Sequence, residues 1–239
     1  MKKETILKSI KYCEENNIFS ELNKVYDSVP KGNCKGCGNC CMESVGINLV
    51  EFLNIYNYLQ KSNKLKSNSM NNIFDYYFLE YVKKLPCPFK DENNRCSIYE
   101  VRPLNCRIYG HWIKDDYNNN LNRIKKQNIE FAKYMGETYG LTISDNIVNY
   151  KIYYCEDFKP YEDYMSKDNR LSFSDRIVTL DSKLYSKGIM NINFKDRGIV
   201  EYFIESIFNE KVSSNIKIKI TKDNTIRNKT LKKLKKIFI

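Results

Sequence analysis

Apolar residues recur at helical spacing over much of the chain. Ile6, Leu7, Ile10, Cys13, Leu22 and Val25 predict one helix over residues 4–28, stopped by Pro30 and Gly32. A Gly- and Asn-rich loop follows at 32–46. INLVEFLNIYNYLQK predicts a short extended piece running into a helix, with Leu49, Phe52, Leu53, Tyr56 and Leu59 on its apolar side. The polar run SNKLKSNSMNN reads as a loop, and a helix over about 70–84 carries Ile73, Phe74, Tyr77, Phe78 and Tyr81. Residues 85–112 hold three of the five prolines and a DENN turn, which predicts a compact irregular segment. Downstream, 121–139, 174–187 and 197–210 read as helices, and 147–154 as an extended piece leading to Cys155. NIKIKIT (215–221) alternates strictly and predicts a strand with one buried face. LKKLKKIFI is a short basic amphipathic stretch. The expected fold is mainly α with minor β. The polar DDYNNN run near 115–120 is the best candidate boundary, dividing the chain into 1–115 and a basic, mostly helical 116–239.

Composition narrows the class. With 239 residues, 42% of them hydrophobic, the chain can bury a core and is not a disordered tail. No apolar run approaches the ~20 residues of a membrane span, and the N-terminal residues lack the pattern of a signal peptide. The expected location is the cytoplasm. The net charge of +11 is concentrated: Lys211–Ile239 carries ten Lys/Arg against Asp223 alone, a net +9. Such a patch suits nucleic acid or an acidic partner, although abundant lysine is also what an ordinary solvated face looks like.

The nine cysteines change the picture most. In a reducing compartment, clustered cysteines point to metal or redox chemistry more than to disulfides. Leaving Cys13 aside, Cys34, Cys37, Cys40 and Cys41 form one wall, Cys87, Cys96 and Cys106 a second, and Cys155 stands apart. The fold expected is thus an irregular cysteine-rich metal-binding core packed by helices. In CKGCGNCC, tight turns at Gly36 and Gly38 let neighbouring thiolates face one ion. Four thiolates suit zinc, and eight would suit two such sites. Close cysteines plus a remote Cys-Pro, here Cys87-Pro88, suit an iron–sulfur cluster, expected as [4Fe–4S]. Cys155 alone could also be plain core.

CKGCGNCC with CPF…RCSIYEVRPLNCRIYG resembles the YkgJ-type cysteine-cluster family, the zinc- or iron-chelating CxxCxxCC domain. More distantly it is similar to flagellin lysine-N-methylases. The resemblance covers residues 32–112 and implies eight metal-linked cysteines, for which Cys34, Cys37, Cys40, Cys41, Cys87, Cys96, Cys106 and Cys155 are the candidates. It implies iron–sulfur or zinc without a settled reaction.

Arg102, Arg107, Tyr109 and His111 crowd the second wall and are the candidate substrate-facing residues. The arginines could clamp a carboxylate or phosphate, or offset thiolate charge. His111, the only histidine, could carry a proton or ligate. There is no GxGxxG, P-loop or HExxH. The CxxxCxxC spacing of radical enzymes that use S-adenosylmethionine is also missing, which leaves that cofactor weakly supported. The leading expectation is iron–sulfur redox or modification chemistry on an unknown protein or peptide. The alternative is a zinc module whose basic C-terminus meets nucleic acid or an acidic protein.

Overall fold

The apolar spacing at the N-terminus does make helix, but in two pieces. In the computed structural model, which describes residues 1–189 and 197–239, α1 (Lys3–Glu15) and α2 (Ile18–Asp27) are separated by Asn17 in the left-handed conformation, φ 57°. Asparagine tolerates that region better than most residues. The kink lets Ile6, Ile10 and Cys13 of α1 and Ile18, Leu22 and Val25 of α2 bury against the same neighbours. α3 (Leu49–Gln60) is buried on nearly every side and is the central rod. α4 (Asn63–Leu79) begins where a polar loop is expected. Ser62 caps it, its Oγ accepting from Leu65 N–H at 3.3 Å. The buried residues Met70, Ile73, Phe74 and Tyr77 continue one stripe, while the asparagines and serines of its first half mostly face outward. Composition, not periodicity, suggested a loop there.

The segment 85–112 contains the short helix α5 (Leu104–Ile108), and beyond it come α6 (Lys114–Tyr139), α7 (Asp145–Val148), α8 (Lys167–Ser186), α9 (Ile199–Glu205), α10 (Glu210–Lys222) and α11 (Asn224–Phe238). The DDYNNN run lies inside α6 and does not interrupt the helix. Residues 147–154 are not an extended element: α7 takes the first two, and the rest have no regular structure. The strand expected at 215–221 is also overturned, because α10 covers it. Its buried positions are Ser213, Lys217 and Ile220, at spacings of four and three. Lys217 points inward to Glu80 and lies over the rings of Tyr77 and Tyr81, 4.0 and 4.3 Å from their centroids. A charged residue on the buried face made a helical stripe look like polar alternation.

The only sheet among the described residues pairs β1 (Gly32–Asn33) with β2 (Lys159–Pro160), antiparallel, Gly32 opposite Pro160. The fold is mainly α with minor β. One apolar cluster runs from Ile6 to Leu231, joining helices from both halves of the chain. At its centre Phe52 stacks on Tyr202 at 4.9 Å and meets Phe203 edge-on at 5.1 Å. Among the described residues no helix is long and apolar enough to cross a membrane.

Candidate metal centre

Three local devices shape the cysteine segments. Gly36 and Gly38 both have positive φ, 65° and 71°, and Cys41 N–H closes a turn on the Gly38 carbonyl at 3.1 Å. A side chain at Gly38 would also place a Cβ 2.9 Å from the Asn94 carbonyl oxygen, so the loop rests directly on the next wall. That wall is a tight turn. Asp91 Oδ1 accepts from Asn93 and Arg95 N–H at 2.9 and 2.7 Å, and Ser97 N–H donates to the Phe89 carbonyl at 2.8 Å. The Asx-type bonds of Asp91 bring Cys87 and Cys96 to the two sides of the turn. Finally, Cys87 N–H donates to the Cys41 carbonyl at 3.0 Å, which ties the walls together.

Cys106 is carried by α5, and two buried carboxylates fix that region. Glu51 Oε2 accepts from Asn48 N–H at 3.0 Å at the start of α3. Its Oε1 accepts from Leu104 N–H at 2.7 Å and from Tyr26 O–H at 2.9 Å. One carboxylate therefore pins α2, α3 and the start of α5. Asp181 of α8 accepts from Leu49 and Val50 N–H at 2.9 and 2.7 Å. Burial pushes its carboxyl up to about 7, although the two N–H bonds pull the other way. Neither residue was foreseen as important. The N-x-x-E pattern of Asn48 and Glu51 was a readable capping signal. Asp181 meets its partners from 132 and 131 residues away, and nothing local announces it.

Cys155 joins the group through non-local pairing. β1 precedes Cys34 directly, and β2 follows Cys155 by four residues, so their pairing folds the two cysteines toward each other. Tyrosine hydroxyls hold the intervening chain: Tyr109 O–H donates to the Tyr153 carbonyl at 2.7 Å and Tyr154 O–H to the Trp112 carbonyl at 2.9 Å. Lys35 and Asp157 pair across the same junction at 2.7 Å, exposed.

Cys41, Cys87, Cys96, Cys106 and Cys155 each interact electrostatically with Cys40, and Cys155 also with Cys37 and Cys34. The Cys40 thiol is pushed up by its hydrogen bond to Cys41 first and by burial second. Burial raises Cys87 to about 12 and holds Cys96 and Cys106 above the ordinary thiol range, and each of the three is raised further by Cys40. Cys155 is raised by burial and then by Cys40, Cys37 and Cys34. Crowded thiols resist ionising because each thiolate repels the next. A cation that binds them must displace their protons. Cys34 and Cys37 are exposed and the other six partly buried. Cys13 is separate, fully buried in the apolar core and raised to about 12 by burial. Among the described residues no three Cys, His, Asp or Glu side chains already stand in the arrangement that holds an ion.

The donor set nevertheless fits a soft metal, and Arg102 supplies an independent sign. Its guanidinium lies 4.1 Å over the Tyr99 ring, its Nε is buried with no hydrogen-bond partner, and its charge favours the thiolates of Cys40, Cys96 and Cys106. A buried orphan donor beside anion-forming groups matches thiolate sulfur. Arg107 is committed elsewhere. Its Nε and Nη2 donate to the Arg102 and Glu100 carbonyls at 2.8 and 2.7 Å, and it stacks on Tyr26 at 4.1 Å. Tyr109 is within electrostatic reach of Cys40, Cys155 and Glu43, and burial keeps its hydroxyl protonated. His111 is buried edge-on against Phe158 at 4.5 Å. Its Nδ1 has no hydrogen-bond partner. Burial lowers its affinity for a proton.

No curated protein and no solved structure matches this chain. A family model does: CxxCxxCC, described as a putative zinc- or iron-chelating domain, over residues 33–132. That range holds seven of the eight candidate cysteines and stops short of Cys155. Residues 33–132 are similar to that domain over less than half of the chain, and its zinc- or iron-chelating description supports metal binding by the cysteines there.

Proposed function

We propose that this protein holds an iron–sulfur cluster on the CxxCxxCC loop, Cys87, Cys96 and Cys106, with Cys155 as the outlying donor, and that it works in redox or protein-modification chemistry in the cytoplasm. The observation that carries this reading is the orphaned Arg102 donor beside Cys40, Cys96 and Cys106, with Cys41, Cys87 and Cys155 also gathered around Cys40 and Cys34 and Cys37 near Cys155. One Cys₄ zinc site would leave half of these donors unused. Bound there, a cluster supplies electrons or an open iron for substrate. The chain's own residues then have defined tasks. Arg102 balances thiolate charge, Arg107 braces the 100–107 turn, and Tyr109 and His111 bound the site on the side of Cys155.

A second reading has its own support. α11 leaves Lys229, Lys232, Lys233 and Lys236 exposed on one face, while Lys235 pairs with Asp75 at 2.7 Å. A zinc-stabilised module using that face against nucleic acid or an acidic protein fits this pattern.

Anaerobic purification with iron, zinc and acid-labile sulfide measured on one sample separates them. Matched iron and sulfide with visible absorption support the cluster. S-adenosylmethionine is then added to look for a perturbed spectrum. Zinc without sulfide overturns the cluster. Cys106→Ser should lower bound metal at least severalfold, whereas Cys13→Ser should leave it unchanged because that thiol lies in the apolar core. Equal metal content in the two variants would refute the assigned donors.

A further inference from the structure

Cys155 is the candidate donor that lies beyond the matched residues 33–132, and the chain around it has little structure of its own. Residues 150–158 contain no helix or strand. Glu156 and Asp157 reach Lys114 and Lys35, but both pairs are exposed, and exposed pairs hold a loop weakly. The tyrosine bonds to the Tyr153 carbonyl and from the Tyr154 hydroxyl fix the chain ahead of Cys155. What fixes it behind is Phe158, the one buried residue of this stretch, three positions after the cysteine.

The Phe158 ring fills a slot between two glycines. A Cβ on Gly32 of β1 would overlap the far end of the ring, and a Cβ on Gly110 would overlap its root. A larger residue at either position would expel the ring or shift the backbone. His111 closes the slot edge-on, 4.5 Å from the ring centroid. The slot is itself held: Met165 N–H donates to the His111 carbonyl at 2.9 Å, and Tyr161 N–H to the Lys31 carbonyl at 3.0 Å. Tyr164 O–H donates to the Phe158 carbonyl at 3.1 Å. Gly32 stands two residues before Cys34 and Gly110 four after Cys106, so the ring is wedged between segments that carry both walls of the cysteine centre. The backbone of Phe158 also serves Cys155 directly. Burial raises that thiol, and the Phe158 N–H pulls it back toward the thiolate.

We propose that Phe158 is a positioning residue for the metal centre: its ring, locked between Gly32 and Gly110, delivers Cys155 to the other cysteines. The inference rests on the reading that these cysteines hold a metal, and it is the same for zinc and for an iron–sulfur cluster. Phe158 touches no metal and acts through Cys155. With the ring in its slot, the loop is fixed on both sides of the cysteine, and the Phe158 N–H is available to the metal-bound sulfur. With the ring out, Cys155 swings on a chain tied down on one side only. The other donors are unaffected, because the turn at 87–96, α5 and the CxxCxxCC loop have their own supports.

The test is alkylation resolved by site. The full chain, purified without oxygen, receives a pulse of iodoacetamide before and after a chelator removes its metal, and each cysteine is followed by peptide mass spectrometry. Metal-bound thiolates are shielded, so in the native protein Cys155 should be shielded along with Cys87, Cys96 and Cys106. Phe158→Ala should free Cys155 alone, speeding its alkylation about tenfold, the scale on which residues supporting a metal ligand act. Gly110→Ala keeps both Phe158 and Cys155 but fills the slot, and should free Cys155 in the same selective way. Phe158→Leu retains an apolar wedge and should keep most of the shielding. A merely structural role would instead expose Cys87, Cys96 and Cys106 to the same extent and weaken the circular dichroism spectrum. That uniform loss, or full shielding of Cys155 in Phe158→Ala, would overturn the proposal. Cys155 unshielded in the native protein, with the other cysteines shielded, would overturn it too and leave the metal reading standing. No bound metal and no shielding at any cysteine would overturn both.

Discussion

Glu51 offers the most direct test of how the fold presents the centre. It is 2% exposed, and its carboxylate accepts from three donors on three segments: Asn48 N–H, Leu104 N–H and Tyr26 O–H. In Glu51→Ala all three donors are left without an acceptor in a dry environment. At about 1–3 kcal/mol for each orphaned group, the loss is on the order of 5 kcal/mol, comparable to the whole stability of a typical domain. Glu51→Gln is gentler. Its carbonyl oxygen still accepts from Leu104 and Tyr26, but its amide faces Asn48 N–H donor to donor. One bond and the charge assistance are lost, about 1–3 kcal/mol. Urea unfolding followed by circular dichroism, on samples of matched metal content, measures both variants. Metal titration adds the functional readout. The start of α5 carries Cys106, so Glu51→Gln should weaken metal binding even at temperatures where the helices are fully formed. A Glu51→Ala cost below about 1 kcal/mol, or Glu51→Gln with unaltered metal affinity, would refute the idea that this carboxylate pins the second wall.

Two further outcomes follow from buried charge. Asp181 is raised to about 7 in the folded protein, chiefly by burial, against the ordinary 3.8. The folded state therefore holds a proton that the unfolded chain releases, and the contribution is fully present below about pH 4 and lost as pH rises through 7. Unfolding free energy should fall by up to about 4 kcal/mol across that window relative to Asp181→Asn, and parallel pH curves would contradict it. Lys217→Met should cost about 3 kcal/mol or more by leaving Glu80 uncompensated, and adding Glu80→Gln should recover most of that loss. A double-mutant cycle that shows simple additivity would deny the coupling.

The cysteine spacing alone pointed to metal binding. CxxCxxCC needs only neighbouring turns, and Gly36 and Gly38 adopt the positive φ those turns require. Local periodicity was also sufficient for α1, α3 and the later part of α4, whose stripes need no distant partner to be recognised. It failed where burial contradicts residue type. Lys217 faces inward because Glu80 and two tyrosine rings receive it, and no local pattern reveals that those groups will be there. Cys155 could have been plain core until the pairing of β1 with β2 drew it toward Cys34 and Cys37. Asp181 and Glu51 became the braces of α3 and α5 only once donors far apart in the chain converged on them. Donor identity and turn geometry are properties of a few adjacent residues, so the sequence by itself determined them. Which charges are buried, and which remote thiol joins the others, depends on contacts across more than a hundred residues, and only the tertiary structure decided them.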